Sequence, residues 1–232
     1  MLKKLCVIPS CTAAQVSAEL IEFLQNDGVL FAPTDTVFGI ICQSTEKIQK
    51  IKNKPQGAQL QSLLSMPQVE KLVATDVLQN KIFKLLTTNL WPGGLSLIVK
   101  TKDKTSSCLR VPNDDFLLNL LTKIDKPLFA SSLNPSGQTE LWEEEAIIEF
   151  AKAAQEEIWL FFTPKPKNKA STLIEFTSKA QNSAQAYLKI LRWGMVTQDN
   201  LMQFLLQNAC TITAREPAPK TRTVASLRVL LV

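Results

Sequence analysis

Short apolar runs alternate with amphipathic segments along this chain. Apolar residues at helical spacing predict a first helix that ends near Asp27-Gly28, and these residues are Val16, Leu20, Phe23 and Leu24. The runs 29–32 and 37–42 are short and apolar, which predicts two strands. Because Pro33 and the polar residues 34–36 separate these runs, a polar turn is expected at the strand junction.

The same pattern continues toward the C-terminus. It predicts, in chain order, a helix at 46–52, a strand at 95–99, a helix at 114–124 capped by Asn113, a strand at 128–131, a helix at 143–157, strands at 158–163, 171–176 and 187–193, and a helix from Thr197 to Asn208. Alternating strands and helices are typical of a mixed α/β fold. We therefore predict one α/β domain over residues 12–208, followed by a basic tail at 209–232 of unknown role.

Composition narrows the kinds of chemistry that the chain can perform. It has 232 residues and no histidine, which excludes Ser-His and Cys-His nucleophile pairs and the commonest transition-metal ligand. The five cysteines form no C-x-x-C pair, so neither a zinc site nor a disulfide framework is expected. Lys, Arg, carboxylates, hydroxyls and backbone groups remain, and these suit the binding and polarising of phosphates.

Charge and hydropathy indicate where the protein works. A net charge of +5 favours nucleotides or RNA as partners, although an ordinary basic cytosolic protein fits the charge equally well. No run of 18 apolar residues occurs, so we expect no membrane-spanning helix and no membrane partner. The scattered cysteines favour a reducing setting, so a cytoplasmic location is expected.

Several polar motifs interrupt the apolar runs. In chain order they are PTDTVFG at 33–39, KNKP at 52–55, WPGGLSLIV at 91–99, LRVP at 109–112, SSLNPSG at 131–137, STL at 171–173 and ILRWG at 190–194. Taken alone, each has an ordinary explanation as a turn, a helix cap or a solvent-facing charge. Their order, however, resembles that of the signatures of the YrdC-like family, and the resemblance runs from about Gly28 to Gly194.

This resemblance implies a fold and an activity. The fold would be a twisted mixed sheet with flanking helices and a basic concave face. The activity would be L-threonylcarbamoyladenylate synthase: ATP, bicarbonate and L-threonine, with Mg²⁺, give threonylcarbamoyl-AMP and pyrophosphate. The threonylcarbamoyl group would then reach tRNA, directly or through threonylcarbamoyl-transfer proteins.

The resemblance also implies roles for single residues. Threonine contacts are expected from Thr36, Arg110, Ser132 and Ser171, and ATP contacts from Lys52, Lys54, Asn134 and Arg192. Lys52 and Lys54 are also the expected catalytic residues, because cations beside phosphate oxygens neutralise charge that develops at the α-phosphate. The planar Arg110 guanidinium can hold a carboxylate with two hydrogen bonds. No protein ligand for the metal is expected; Asp35 is available, but a turn role explains it equally well.

The chain departs from the family pattern at several positions. Lys54 replaces an arginine and cannot make a bidentate fork. The polar residues 54–62 replace a loop in which relatives place other polar side chains. Leu133 is bulkier than the usual residue of the Ser-x-Asn motif and is predicted to point into the core.

These departures leave two alternatives open. One is a non-catalytic relative that binds tRNA or double-stranded RNA through phosphate contacts. The other is a carbamoyl-transfer relative from hydrogenase maturation, although the acylphosphatase-like and zinc-finger regions of such proteins are not found in this sequence.

Overall fold

The structure is a computed structural model that describes residues 5–9, 17–55, 57–162, 169–178, 183–215 and 225–231. The chain divides into two compact units, each built from two stretches of sequence. The first unit contains Met1–Ser65 and Pro112–Asn168, and the second contains Met66–Val111 and Lys169–Val232.

Strands and helices alternate in both units. The strands are β1 (Leu5–Pro9), β2 (Val29–Pro33), β3 (Phe38–Cys42), β4 (Gln61–Leu63), β5 (Leu95–Lys100), β6 (Ser106–Arg110), β7 (Leu128–Ser132), β8 (Ile158–Phe162), β9 (Thr172–Ser178), β10 (Gln185–Arg192), β11 (Cys210–Arg215) and β12 (Ala225–Leu231). The helices are α1 (Ala18–Gln25), α2 (Thr45–Ile51), α3 (Met66–Leu72), α4 (Thr75–Leu78), α5 (Lys81–Leu90), α6 (Asp115–Ile124), α7 (Glu144–Ala153) and α8 (Gln198–Gln207).

The first unit is built on strands in the order β1-β8-β2-β3-β7-β4. β1, β8 and β2 run parallel, whereas β3, β7 and β4 pair antiparallel. Every residue of β2 and β3 is buried, because both faces of this sheet are covered. The sheet is therefore the middle layer of an α/β sandwich.

Alternate residues of β2 show how the two faces are filled. Leu30 joins a core cluster that includes leucines of α1 and α6. Phe31 points to the opposite face and joins a cluster that includes Ile48 of α2 and Ile147 of α7. At the end of α1, a Cβ on Gly28 would lie 2.5 Å from the Phe23 ring and its carbonyl. Only glycine therefore allows the chain to turn this closely from α1 into β2.

The second unit has strands in the order β6-β5-β9-β10-β12-β11. β5 and β9 are parallel, and the other neighbours pair antiparallel. α5 packs on β10 and β12, and the Phe83 ring of α5 meets the Phe176 ring of β9 edge-on at 5.6 Å. Residues 210–215 and 225–231 of the predicted tail are thus strands of this sheet.

The predicted fold class is confirmed, because the structure has the mixed sheet and flanking helices of an α/β fold. The helix at 114–124 begins one residue later than predicted, and its cap is Asp114, whose carboxylate accepts from Leu117 N at 3.1 Å, rather than Asn113. The helix at 143–157 ends at Ala153. The domain bounds and the basic concave face stay predictions.

Candidate functional site

The PTDTVFG motif forms a buried turn between β2 and β3. Thr34 Oγ1 donates to the Val37 carbonyl at 2.7 Å and accepts from Thr36 N at 3.1 Å. The Thr34 and Thr36 hydroxyls lie 3.0 Å apart, and both residues are buried. Asp35 Oδ2 accepts from Asn113 N at 3.0 Å, which gives this carboxylate a role in fixing the turn.

A second motif meets this turn at the same edge of the first unit's sheet. β3 and β7 are antiparallel, with Gly39 opposite Ser132, so the start of β3 lies beside the end of β7. Leu133 N donates to the Phe38 carbonyl at 2.8 Å, and the Leu133 side chain is fully buried in the core. The prediction for Leu133 is confirmed. Its inward position leaves the flanking Ser132 and Asn134 together at the strand end.

Lys52, Ser132 and Asn134 form what we call the Lys52 cluster. Lys52 caps the C-terminus of α2, and its side chain is only 2% exposed. Its Nζ donates to Asn134 Oδ1 at 2.6 Å, to the Ser132 carbonyl, and more weakly to Ser132 Oγ at 3.5 Å. Helix α2 and strand β7 thus bring together residues 80 positions apart in the sequence.

The Lys52 ammonium is a buried cation held by neutral oxygens. Burial is the main reason that the pKa of Lys52 falls from 10.5 to about 8, and the positive charge of Lys54 lowers it further. The Glu140 carboxylate raises the pKa of Lys52 and is the smallest of the three effects. A desolvated cation of this kind is stabilised by an anion, which makes the Lys52 cluster a candidate anion site.

The second unit contains another polar group, formed by Ser96, Arg110, Ser171 and Arg192, which we call the Ser171 cluster. Ser96 Oγ donates to Ser171 Oγ at 2.6 Å, and Arg192 donates to Ser171 Oγ at 3.3 Å and to its carbonyl at 3.1 Å. Arg110 is 1% exposed and continues the register in which Leu97 pairs with Leu109, so it lies beside Ser96.

Both arginines of the Ser171 cluster act on the thiol of Cys108. Burial raises the pKa of Cys108 to about 12, and the charges of Arg192 and Arg110 oppose this rise. Both guanidinium groups are therefore close enough to Cys108 to lower the pKa of its thiol. Paired guanidinium and hydroxyl groups are suited to carboxylate or phosphate oxygens.

Gly194 allows the chain to pack closely against the Ser171 cluster. A Cβ at this position would lie 2.0 Å from the Ala170 carbonyl oxygen and 2.8 Å from that of Ser171. Gly194 N donates to Thr172 Oγ1 at 2.9 Å, and Met195 N donates to the Ala170 carbonyl at 3.0 Å. The ILRWG motif is thus tied to the STL motif by backbone contacts.

The structure brings the expected site residues into two groups. In the first unit are Thr36, Lys52, Lys54, Ser132 and Asn134; in the second are Arg110, Ser171 and Arg192. Lys54 is half-buried, and its main-chain N donates to the Gln49 carbonyl at 2.8 Å. The convergence of both groups on one ligand, and the contacts assigned to each residue, stay predictions.

Ser96 was not among the expected site residues. It is fully buried in the apolar strand β5, where it hydrogen-bonds Ser171. The signal for it is a lone serine within the run LSLIV, because a buried hydroxyl needs a polar partner.

Two negative findings apply to the residue ranges that the structure describes. Within these ranges, no three Cys, Asp or Glu side chains lie together as metal ligands, and the chain has no histidine. In the same part of the chain, no helix is both long and apolar enough to cross a membrane.

Comparison with known proteins identifies the family. A family model for Sua5, YciO and YrdC proteins, described as telomere recombination, matches residues 22–194. The chain belongs to the Sua5/YciO/YrdC family. All the motifs quoted above lie within the matched residues.

Individual relatives agree with this assignment. A threonylcarbamoyl-AMP synthase of Yersinia pestis (strain Pestoides F) is 26% identical over an alignment of 151 residues, which covers 58% of this chain and 79% of the relative. Two solved structures share the fold at 18% identity. P. abyssi Sua5 complexed with L-threonine matches 87% of this chain with a TM-score of 0.70, and E. coli YciO matches 76% with a TM-score of 0.62. The chain spans 61% of that Sua5 chain and 92% of YciO.

Proposed function

We propose that this protein is an L-threonylcarbamoyladenylate synthase. The threonine amine and bicarbonate form a carbamate and water; a carbamate oxygen then attacks the α-phosphate of ATP, and pyrophosphate leaves. The products are threonylcarbamoyl-AMP and pyrophosphate. The reaction needs no enzyme nucleophile, so the absence of histidine is compatible with it.

The observation that carries this proposal is the Lys52 ammonium, 2% exposed and bonded to neutral oxygens. The Glu140 charge offsets only part of the cost of burying this cation, which is several kcal/mol, and an anion that joins it offsets more. A triphosphate supplies that anion. The same ammonium then stabilises charge that develops as the α-phosphate is attacked.

The comparisons support the choice of substrates. The Yersinia relative carries the name threonylcarbamoyl-AMP synthase, and P. abyssi Sua5 was solved with L-threonine. We transfer both to this chain as a proposal. Threonine is then the amino-acid substrate, and the finished threonylcarbamoyl group is passed on toward tRNA.

We assign the expected site residues to two tasks. Lys52, Lys54, Asn134 and Arg192 serve the nucleotide, and Thr36, Arg110, Ser132 and Ser171 serve threonine. The Arg110 guanidinium offers the planar fork that suits the threonine carboxylate. The catalytic work is then the alignment of three substrates and the stabilisation of phosphate charge.

Magnesium enters this proposal with the nucleotide. Triphosphates bind Mg²⁺ through their own oxygens, and the ion reduces the negative charge of the phosphates. The residues assigned to the nucleotide are two lysines, an arginine and an asparagine whose carbonyl oxygen already accepts two hydrogen bonds within the protein, so none is a Mg²⁺ ligand of choice. We therefore assign the ion to the nucleotide.

The test is pyrophosphate release by the purified chain. With ATP, Mg²⁺, threonine and bicarbonate present, we expect release that stops when either threonine or bicarbonate is left out. Lys52→Ala should lower kcat/KM by about 30- to 1000-fold, the scale of about 2–4 kcal/mol for losing one preorganised donor.

A matched control and the opposite outcome complete this experiment. Lys50 lies in the same helix, and its exposed ammonium pairs with the buried Glu156 carboxylate, so Lys50→Gln, which removes the charge but keeps a donor for this carboxylate, should leave the rate nearly unchanged. No pyrophosphate release, together with salt-sensitive retention of tRNA, would reject the synthase and favour the RNA-binding alternative.

A further inference from the structure

The Asn134 side chain is saturated with hydrogen bonds inside the protein. Its Oδ1 accepts from Lys52 Nζ at 2.6 Å and from Ser132 Oγ at 2.6 Å. Its Nδ2 donates to the main-chain carbonyls of Pro135 at 3.0 Å and Gln138 at 2.5 Å. An asparagine amide has two acceptor positions and two donor hydrogens. All four are used, and the residue is 7% exposed.

The chemistry of these partners fixes the orientation of the amide. Rotating it by 180° would turn Nδ2 toward the Lys52 ammonium and Oδ1 toward two carbonyl oxygens, so both sides would become repulsive. The Asn134 side-chain amide therefore stabilises two parts of the structure. Its oxygen holds Lys52 and Ser132, and its nitrogen closes the turn 135–138.

The amide also fixes the direction of the Ser132 proton. Because Asn134 Oδ1 can only accept, the hydroxyl of Ser132 must donate its proton to it. The Ser132 oxygen can then only accept further hydrogen bonds. A group that approaches this oxygen must carry a donor, as an ammonium or amine does.

We propose that Asn134 is a positioning residue, which holds the Lys52 ammonium in place and turns the Ser132 hydroxyl so that its oxygen accepts from the substrate amine. The part that concerns the amine rests on the proposed function. Because its four hydrogen-bonding positions are used within the protein, Asn134 serves the nucleotide through Lys52, and threonine through Ser132, without contacting either ligand itself. Its effect on Lys52 exists in the ligand-free protein and can be measured without turnover.

The first experiment follows the titration of Lys52 in the ligand-free chain by ¹³C NMR of the lysine Cε, with Lys52→Arg to assign the signal. Asn134→Asp places a carboxylate where the amide oxygen holds the ammonium, so the pKa of Lys52 should rise. Asn134→Ala removes an acceptor that favours the charged form, so this pKa should fall. Lys54 and Glu140 are the charged groups that already act on Lys52, and neither variant alters them.

Shifts in opposite directions would support the positioning role, since a general loss of packing moves both variants the same way. An unchanged Lys52 pKa in both variants would overturn it. If Asn134→Ala does not fold, Asn134→Leu, which keeps the volume but has no acceptor, takes its place: a fall in the pKa of Lys52 supports the positioning role, whereas a rise, which a loosened cluster would also give, overturns it. Gln138→Ala is the matched control, because only the main-chain carbonyl of this exposed residue takes part.

The second experiment tests the direction of the Ser132 hydroxyl by calorimetry. The wild type should bind threonine at least about tenfold more tightly than 3-hydroxybutyrate, which lacks the amine, since a charged hydrogen bond is worth about 1.5–3 kcal/mol. Ser132→Ala and Asn134→Ala should reduce this preference. An equal loss of affinity for both compounds would overturn the acceptor role.

The two experiments separate the two levels of inference. A wild-type chain that binds neither compound would reject the proposed function and the acceptor role together. The titration would still decide whether Asn134 positions Lys52.

Discussion

Replacement of Lys52 by methionine tests whether the ammonium is as desolvated as its burial indicates. Methionine fills similar space without a charge. In the folded protein the pKa of Lys52 is about 8, against an ordinary value of 10.5. Between these two values the unfolded chain binds more protons than the folded chain, so the free energy of unfolding of the wild type rises with pH. Below about pH 8 the full cost of burying the charge remains.

The size of this effect follows from the difference between 10.5 and about 8, which is about 2.5. At 1.36 kcal/mol for each pKa unit, the wild type should gain about 3 kcal/mol relative to Lys52→Met between about pH 7 and pH 10.5. The methionine variant also lacks the hydrogen bonds to Ser132 and Asn134, and in the wild type these bonds change with pH only as Lys52 itself loses its proton. The slope of the difference therefore reports the Lys52 charge alone.

The assay is urea unfolding of both proteins at several pH values. Other lysines and the cysteines titrate in both proteins, so their contributions cancel in the difference. A difference in free energy of unfolding that stays constant from pH 7 to pH 10.5 would refute the reasoning. It would mean that Lys52 is solvated in solution and that its burial does not create an anion site.

Three further predictions concern the ligands and the second unit. Arg110→Lys keeps the charge but loses the bidentate fork, so half-saturation by threonine should need about tenfold more substrate, while ATP saturation in the same kinetic assay stays nearly unchanged; equal changes would contradict the assignment. Gly194→Ala forces a Cβ to 2.0 Å from the Ala170 carbonyl oxygen and should lower the free energy of unfolding, measured in urea, by about 2–3 kcal/mol. The control is Gly57→Ala, where no atom lies within 4 Å but φ is +80°, and it should lower the free energy of unfolding by only about 1–2 kcal/mol. A loss in Gly194→Ala no larger than that in Gly57→Ala would contradict the close contact. At pH 9, ATP binding should take up close to one proton in the wild type and almost none in Lys52→Met, as calorimetry in buffers of different ionisation enthalpy would show; equal uptake would remove Lys52 from the site.

Much of the fold is predictable from local pattern. The strands β2, β3, β5 and β7 to β10 match the predicted runs to within about two residues, because buried apolar strands stand out between polar turns. Residues 66–90 were not assigned. The helices α3 and α4 have only seven and four residues, too few for apolar spacing to predict a helix. The helix α5 has ten residues, as many as α6, and was missed although its buried residues Ile82, Phe83 and Leu86 recur at helical spacing. β11 and β12 were missed because their strand character depends on pairing, of β12 with β10 and of β11 with β12, which the sequence of the basic tail does not show.

The candidate site, too, is only partly predictable from the sequence. Thr36, Ser132 and Asn134 could be selected from motifs, and the antiparallel register explains why they share one edge of the sheet. Ser96 could not, because its importance depends on Ser171 lying 2.6 Å away on a strand that is 75 residues later in the chain. Sequence spacing gives no measure of such a contact. Burial and hydrogen bonding in the structure are needed to find it.

The two lysines of KNKP explain why a multiply charged ligand suits the Lys52 cluster. Lys52 is buried, and the charge of Lys54 is close enough to lower its pKa further. Two positive charges that affect each other in this way destabilise the ligand-free protein, and burial increases the cost of the charge on Lys52. A single carboxylate can neutralise one of these cations, whereas a triphosphate can neutralise both. Lys54, in place of the family's arginine, keeps the positive charge but cannot form two parallel hydrogen bonds to a phosphate. It therefore still attracts the phosphate but orients it less precisely. The cost of holding both cations in place is therefore the physical reason to expect a nucleotide, and not a small carboxylate, at this cluster.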